Sequence, residues 1–83
     1  MKITIKYFAS IREAIGQGGE LRETSAITLA DLRDELLAAS AQHASSLARG
    51  KAVRMALNQV MSDESALLTD GCEVAFFPPV TGG

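Results

Sequence analysis

The sequence predicts an α+β domain in which one main helix lies across one face of a sheet. Three observations carry that prediction. The chain opens on alternation, with Ile3, Ile5 and Tyr7 set against Lys2, Thr4 and Lys6, the two-residue period of a half-buried strand. In the middle, Thr28 precedes Leu29, Leu32, Leu36 and Leu37, a leucine stripe at helical spacing. Near the end, Asp70-Gly71 is a strong turn signal that feeds an apolar run from Cys72 to Phe77.

The elements follow in order. After the first strand, Ser10-Ile11-Arg12-Glu13 has the spacing of a capping box, serine accepting from the first turn and glutamate reaching back. It predicts a short helix ending at Gly16. Gly18-Gly19 then turns the chain into a second short strand, about residues 20–24. Thr28 caps the main helix, with Asp31 three residues on. Polar and small residues from Gln42 to Gly50 predict a loop or a further helical turn. Strands resume at Val53, Met55 and Leu57, and Asn58-Gln59 makes a hairpin turn in which asparagine tolerates positive φ. Val60-Met61-Ser62 is the short return strand, and the last strand runs from Cys72 to Phe77.

The expected division is a globular domain over residues 1–77 and a flexible tail over residues 78–83. Pro78 and Pro79 fix φ and remove two backbone donors. Val80 and Thr81 follow, and Gly82-Gly83 brings no side chain to pack and a high entropic cost of ordering. A stiff exit with a limber tip suits a carboxylate presented to another protein through a slot too narrow for a Cβ. Pro79 to Gly83 can extend at most about 17 Å.

Composition narrows the function. At 83 residues with 47% hydrophobic content, the chain is one domain able to bury a core. The net charge of −2 and the lack of a basic run argue against a phosphate-backbone binder. No apolar stretch approaches the roughly 20 residues that span a bilayer, and the alternating start is unlike a signal peptide. One cysteine excludes an internal disulfide and fits a reducing cytoplasm.

Strand parity adds a surface. Glu73 must face water, so Ala75 and Phe77 share its outward face while Val74 and Phe76 point inward. In the first strand Lys2, Thr4 and Lys6 set the outward face, which leaves Phe8 on it. Two phenylalanines at strand ends therefore face away from the core, and a cluster beside a glycine tail marks a docking surface.

Tyr7-Phe8-Ala9 with Arg12-Glu13, Asn58-Gln59, Asp70-Gly71 and the stretch from Glu73 through Phe76-Phe77-Pro78-Pro79-Val80-Thr81-Gly82-Gly83 resemble the small, sulfur carrier subunit of molybdopterin synthase, the MoaD family. The resemblance covers the whole chain; Cys72 departs from it, since the family commonly has an acidic residue in that turn. It implies a ubiquitin-like β-grasp fold with a mixed sheet, the first and last strands parallel and adjacent at its centre. Phe8 and Phe77 then become neighbours, Met61 joins them from the hairpin, and Arg12 is a candidate partner for an acid on the docking protein.

The resemblance also implies a mechanism. An ATP-dependent activating enzyme adenylates the Gly83 carboxylate, and a sulfur donor converts the adenylate to a thiocarboxylate. The tail of Val80, Thr81, Gly82 and Gly83 carries that sulfur into a pocket of the large subunit. There a cyclic pyranopterin precursor receives it, forming the dithiolene. This chain then binds no cofactor itself, ATP and pterin belong to its partners, and the synthase is a heterotetramer. Neither nucleic acid nor membrane is an expected partner.

Other residues have blander readings. Cys72, between Gly71 and Glu73, lacks the cationic surroundings that lower a thiol pKa and reads as a plain turn or strand cysteine, not a persulfide carrier. His43 has no second histidine or cysteine at ligand spacing, so no metal site is expected and it reads as solvent-facing. Arg12 taken alone is a solvated helix arginine. No Ser-His-Asp set, phosphate loop or paired catalytic carboxylates point to an autonomous enzyme. A ubiquitin-like modifier conjugated through Gly83, a sulfur carrier for thiamine thiazole synthesis and a non-covalent interaction module are the alternatives.

Overall fold

The computed structural model describes residues 1–78. Five strands form one mixed sheet: β1 (Lys2–Tyr7), β2 (Gly19–Glu23), β3 (Arg54–Leu57), β4 (Val60–Ser62) and β5 (Glu73–Phe77). Their spatial order is β2-β1-β5-β3-β4. β1 and β5 are parallel and central, Thr4 opposite Glu73 and Tyr7 opposite Phe76. All other neighbours are antiparallel. This is the expected β-grasp arrangement.

Three helices accompany the sheet: α1 (Ala9–Ile15), α2 (Leu29–Leu37) and α3 (Ala41–Leu47). α2 is the longest and begins with the expected capping box. The Asp31 N–H donates to Thr28 Oγ1 at 3.2 Å, and the Thr28 N–H donates to the Asp31 carboxylate at 3.3 Å. Leu29, Leu32 and Leu36 are fully buried, with Leu37 at the edge of the stripe. They meet Ile3, Ile5, Tyr7, Val74 and Phe76 from the inner sheet face. Gly16 ends α1 at φ 89°, a left-handed C-cap open to glycine. Asn58 and Gln59 at φ 49° and 69° make the tight hairpin turn.

Three expectations need correction. α1 is not opened by Ser10; its N-cap is Phe8, and no side chain caps it. The reason is tertiary. The Phe8 N–H extends the β1–β5 ladder to the Phe76 carbonyl at 3.1 Å, while the Phe8 carbonyl already accepts from Ile11 and Arg12. Strand therefore passes into helix at a corner where Ala9 takes φ 51°.

Residues 42–50 hold most of a two-turn helix. Ser40 caps it by accepting from the His43 N–H at 3.1 Å, and Leu47 anchors it in the core. Arg33 completes its other end, donating to the carbonyls of Leu47 and Ala48 at 2.7 and 3.0 Å. That helix turns His43 inward, so the histidine is 9% exposed and not solvent-facing. Its ring stands edge-on to Tyr7 at 5.8 Å.

Cys72 lies in the core, as a strand-entry cysteine that is 3% exposed. Val80, Thr81, Gly82 and Gly83 fall outside the described residues.

Candidate functional site

The helices cover one face of the sheet and leave the other open. Cross-strand register orders the open face into rows. The first row is Arg54, Phe77 and Phe8, at the strand end from which Pro78 departs. Arg54 is directly opposite Phe77, and the two phenylalanine rings meet edge to face, 6.4 Å apart. The second row is Met61, Ala56, Ala75 and Lys6. The third is Glu73, Thr4 and Leu21.

Phe8 is 46% exposed and Met61 54%, while Phe77 is half-buried. Ala56 and Ala75 point outward and yet are covered by their larger neighbours, forming the floor of the patch. Lys6 and Glu73 pair across this face at 3.2 Å. Of the residues singled out in the sequence, Phe8 and Phe77 are thus in contact. Met61 shares their face one row away. Arg12 belongs to α1, and its side chain lies over Gly18, Nε 3.2 Å from where a β-carbon would stand.

The same two strands carry a second aromatic pair on the inner face. Tyr7 and Phe76 stack at 6.2 Å. Burial pushes the Tyr7 hydroxyl far above its ordinary range, and the Glu20 charge pushes the same way. Among the described residues that hydroxyl has no partner in good hydrogen-bond geometry, although the Glu20 carboxylate lies near enough to act on it. This inner pair holds β1 and β5 in the register that sets Phe8 beside Phe77.

Sequence reasoning passed over Arg54 and the alanine floor. The alternation of Arg54 and Ala56 with the core-facing Met55 and Leu57 gives their face, but their row requires the β3–β5 register. Chemically the site offers shape and an anchor. Among the described residues no group of three or more His, Cys, Asp or Glu is placed to hold a metal ion. No described helix is long and apolar enough to cross a membrane.

The ThiS family model matches residues 5–83. The molybdopterin synthase sulfur carrier subunit of Escherichia coli K12 is 41% identical over 81 residues, covering 98% of this chain and 99% of that protein. Among solved structures, a chain in the complex of subunits 1 and 2 of molybdopterin-converting factor from Helicobacter pylori superposes with a TM-score of 0.72. It is 25% identical, with all of both chains covered. SAMP1 from Haloferax volcanii superposes with a TM-score of 0.79, again over all of both chains. At 23% identity that second likeness speaks for the ubiquitin-like β-grasp fold alone.

Proposed function

The chain belongs to the ThiS family, and on that premise we propose that it is the sulfur carrier subunit of a molybdopterin synthase. The carrying group is the carboxylate of Gly83. As a carboxylate it resists attack, because its charge repels nucleophiles and oxide is a poor leaving group. Adenylation by an ATP-dependent activating enzyme replaces that oxide with AMP, a good leaving group. A sulfur donor displaces AMP and leaves a thiocarboxylate, charged at neutral pH and strongly nucleophilic. The tail, Val80 to Gly83, carries it into a pocket of the large subunit, where a pyranopterin precursor takes the sulfur.

Catalytic acids, bases and pterin-binding groups belong to that large subunit, in a heterotetramer working in the cytoplasm. This chain supplies the sulfur and the docking face, and is not an enzyme alone.

The observation that carries the reading is the Phe8–Phe77 contact at the strand end from which Pro78 leaves. An aromatic pair held out of the core by fixed register suits a partner's pocket. It sits where a docked domain launches its tail. The similarity to the E. coli carrier subunit, nearly end to end in both chains, supports the same reading.

Intact-protein mass spectrometry tests it. Incubation with the activating enzyme, ATP and a sulfur source is expected to exchange one oxygen for sulfur at the C-terminus. Cys72→Ser is expected to show the same gain. Deleting Gly83 is expected to abolish it while leaving folding and docking intact. A shift of one residue, about 3.3 Å, exceeds the tolerance of a reacting pair. A gain that vanishes in Cys72→Ser and survives the Gly83 deletion assigns the sulfur to a cysteine persulfide and overturns the reading.

A further inference from the structure

The open face holds two cations near its aromatic row, and the fold neutralises one of them. Lys6 reaches Glu73. Arg54 is exposed, and among the described residues it enters no ion pair and no side-chain hydrogen bond. Arg12, on α1 and away from this face, likewise enters no ion pair among the described residues, whereas three other arginines are engaged. Arg22 pairs with Glu20 and Glu35, Arg33 binds two carbonyls, and Arg49 pairs with Asp34 and Glu64. A chain of net charge −2 thus sets beside its outward phenylalanines a guanidinium that has no partner among the described residues.

Residues directly opposite on antiparallel strands have Cβ atoms about 5 Å apart. A protein surface that covers Phe77 therefore covers Arg54. Removing water from a guanidinium is costly unless an acceptor replaces it. A carboxylate replaces it best, taking two parallel bonds from the planar fork.

We infer that Arg54 is a positioning residue that pairs with a carboxylate on the large subunit, next to the pocket that receives Phe77. The inference rests on the docking face described above and adds its orientation. An apolar patch with an alanine floor tolerates rotation. One charge contact at its edge removes that freedom, and Pro78 then leaves the sheet in a single direction relative to the partner.

Binding of the full chain to the large subunit, followed by stopped-flow at low and high salt, tests this, with Phe77→Ala as reference. Arg54→Ala is expected to weaken binding about tenfold and Arg54→Glu about a hundredfold, largely through slower association and with a flatter salt dependence. Arg54→Lys is expected to restore the association rate and salt dependence, but not the full affinity. Melting temperatures of the three are expected to match the parent. With thiocarboxylated chain and saturating partner, Arg54→Ala is expected to transfer sulfur more slowly, because the docked tail is no longer aimed.

Arg54 variants that bind and transfer like the parent while Phe77→Ala weakens binding overturn the role of Arg54 and leave the docking face standing. A loss with unchanged salt dependence also overturns it, since the contact is then not ionic. If Phe77→Ala too binds like the parent, the docking face fails, and this inference with it.

Discussion

Tyr7 and Phe8 are neighbours in sequence, as are Phe76 and Phe77, yet they end in opposite surroundings. Tyr7 and Phe76 are sealed beneath the helices, 1% and 0% exposed. Phe8 and Phe77 touch on the bare side of the same two strands. The two ring pairs have nearly the same separation, 6.2 and 6.4 Å. Ring chemistry does not decide which pair builds the core and which stays outside it. Strand parity decides it, and the parallel β1–β5 register makes the decision jointly for both strands.

Truncation breaks the comparison most strongly on the inner side. Phe76→Ala is expected to cost about 3–5 kcal/mol in thermal or chemical unfolding, the range for a buried aromatic reduced to alanine. Phe77→Ala is expected to cost less than about 1 kcal/mol in the same melts. Its loss is read instead in affinity for the large subunit, where an anchoring aromatic is worth about 2 kcal/mol or more. If Phe77→Ala unfolds more easily than Phe76→Ala, the assignment of faces is reversed. The finest test stays within the inner pair. Tyr7→Phe removes a buried hydroxyl without a described hydrogen-bond partner, so stability is expected to hold within about 1 kcal/mol. A drop well beyond that shows that the hydroxyl is satisfied in solution and that the inner pair is not held by packing alone.

Much of this was legible in the sequence, for local reasons. Alternation placed Phe8 and Phe77 outward, Thr28 and Asp31 announced α2, and Gly16 announced the end of α1. Each signal lies within a few residues of what it determines. Ser10 misled because the true start of α1 is set by a hydrogen bond from Phe8 to the distant Phe76 carbonyl. α3 was only half legible: between Ala41 and Leu47 a single leucine reaches the core, and the other buried positions are His43 and Ser46. Polar residues at inward positions hide a helix from any reading based on hydrophobic period. Arg54 went unnoticed because its importance is a matter of register with a strand far along the chain.

The parallel pairing of β1 with β5 has a consequence for how the molecule comes into being. Thr4 and Glu73 are joined across almost the whole chain, and β5 also divides β1 from β3 in the sheet. Until the last strand inserts, the first two strands and the β3–β4 hairpin have no common neighbour. Closing so long a loop is entropically expensive, so this insertion is expected in the slow, late part of folding. The face that carries Phe8, Phe77 and Arg54 is assembled in that same event. A chain that has folded only in part is expected to lack this face. A partner that docks through this face is therefore expected to accept only chains in which the last strand has already inserted.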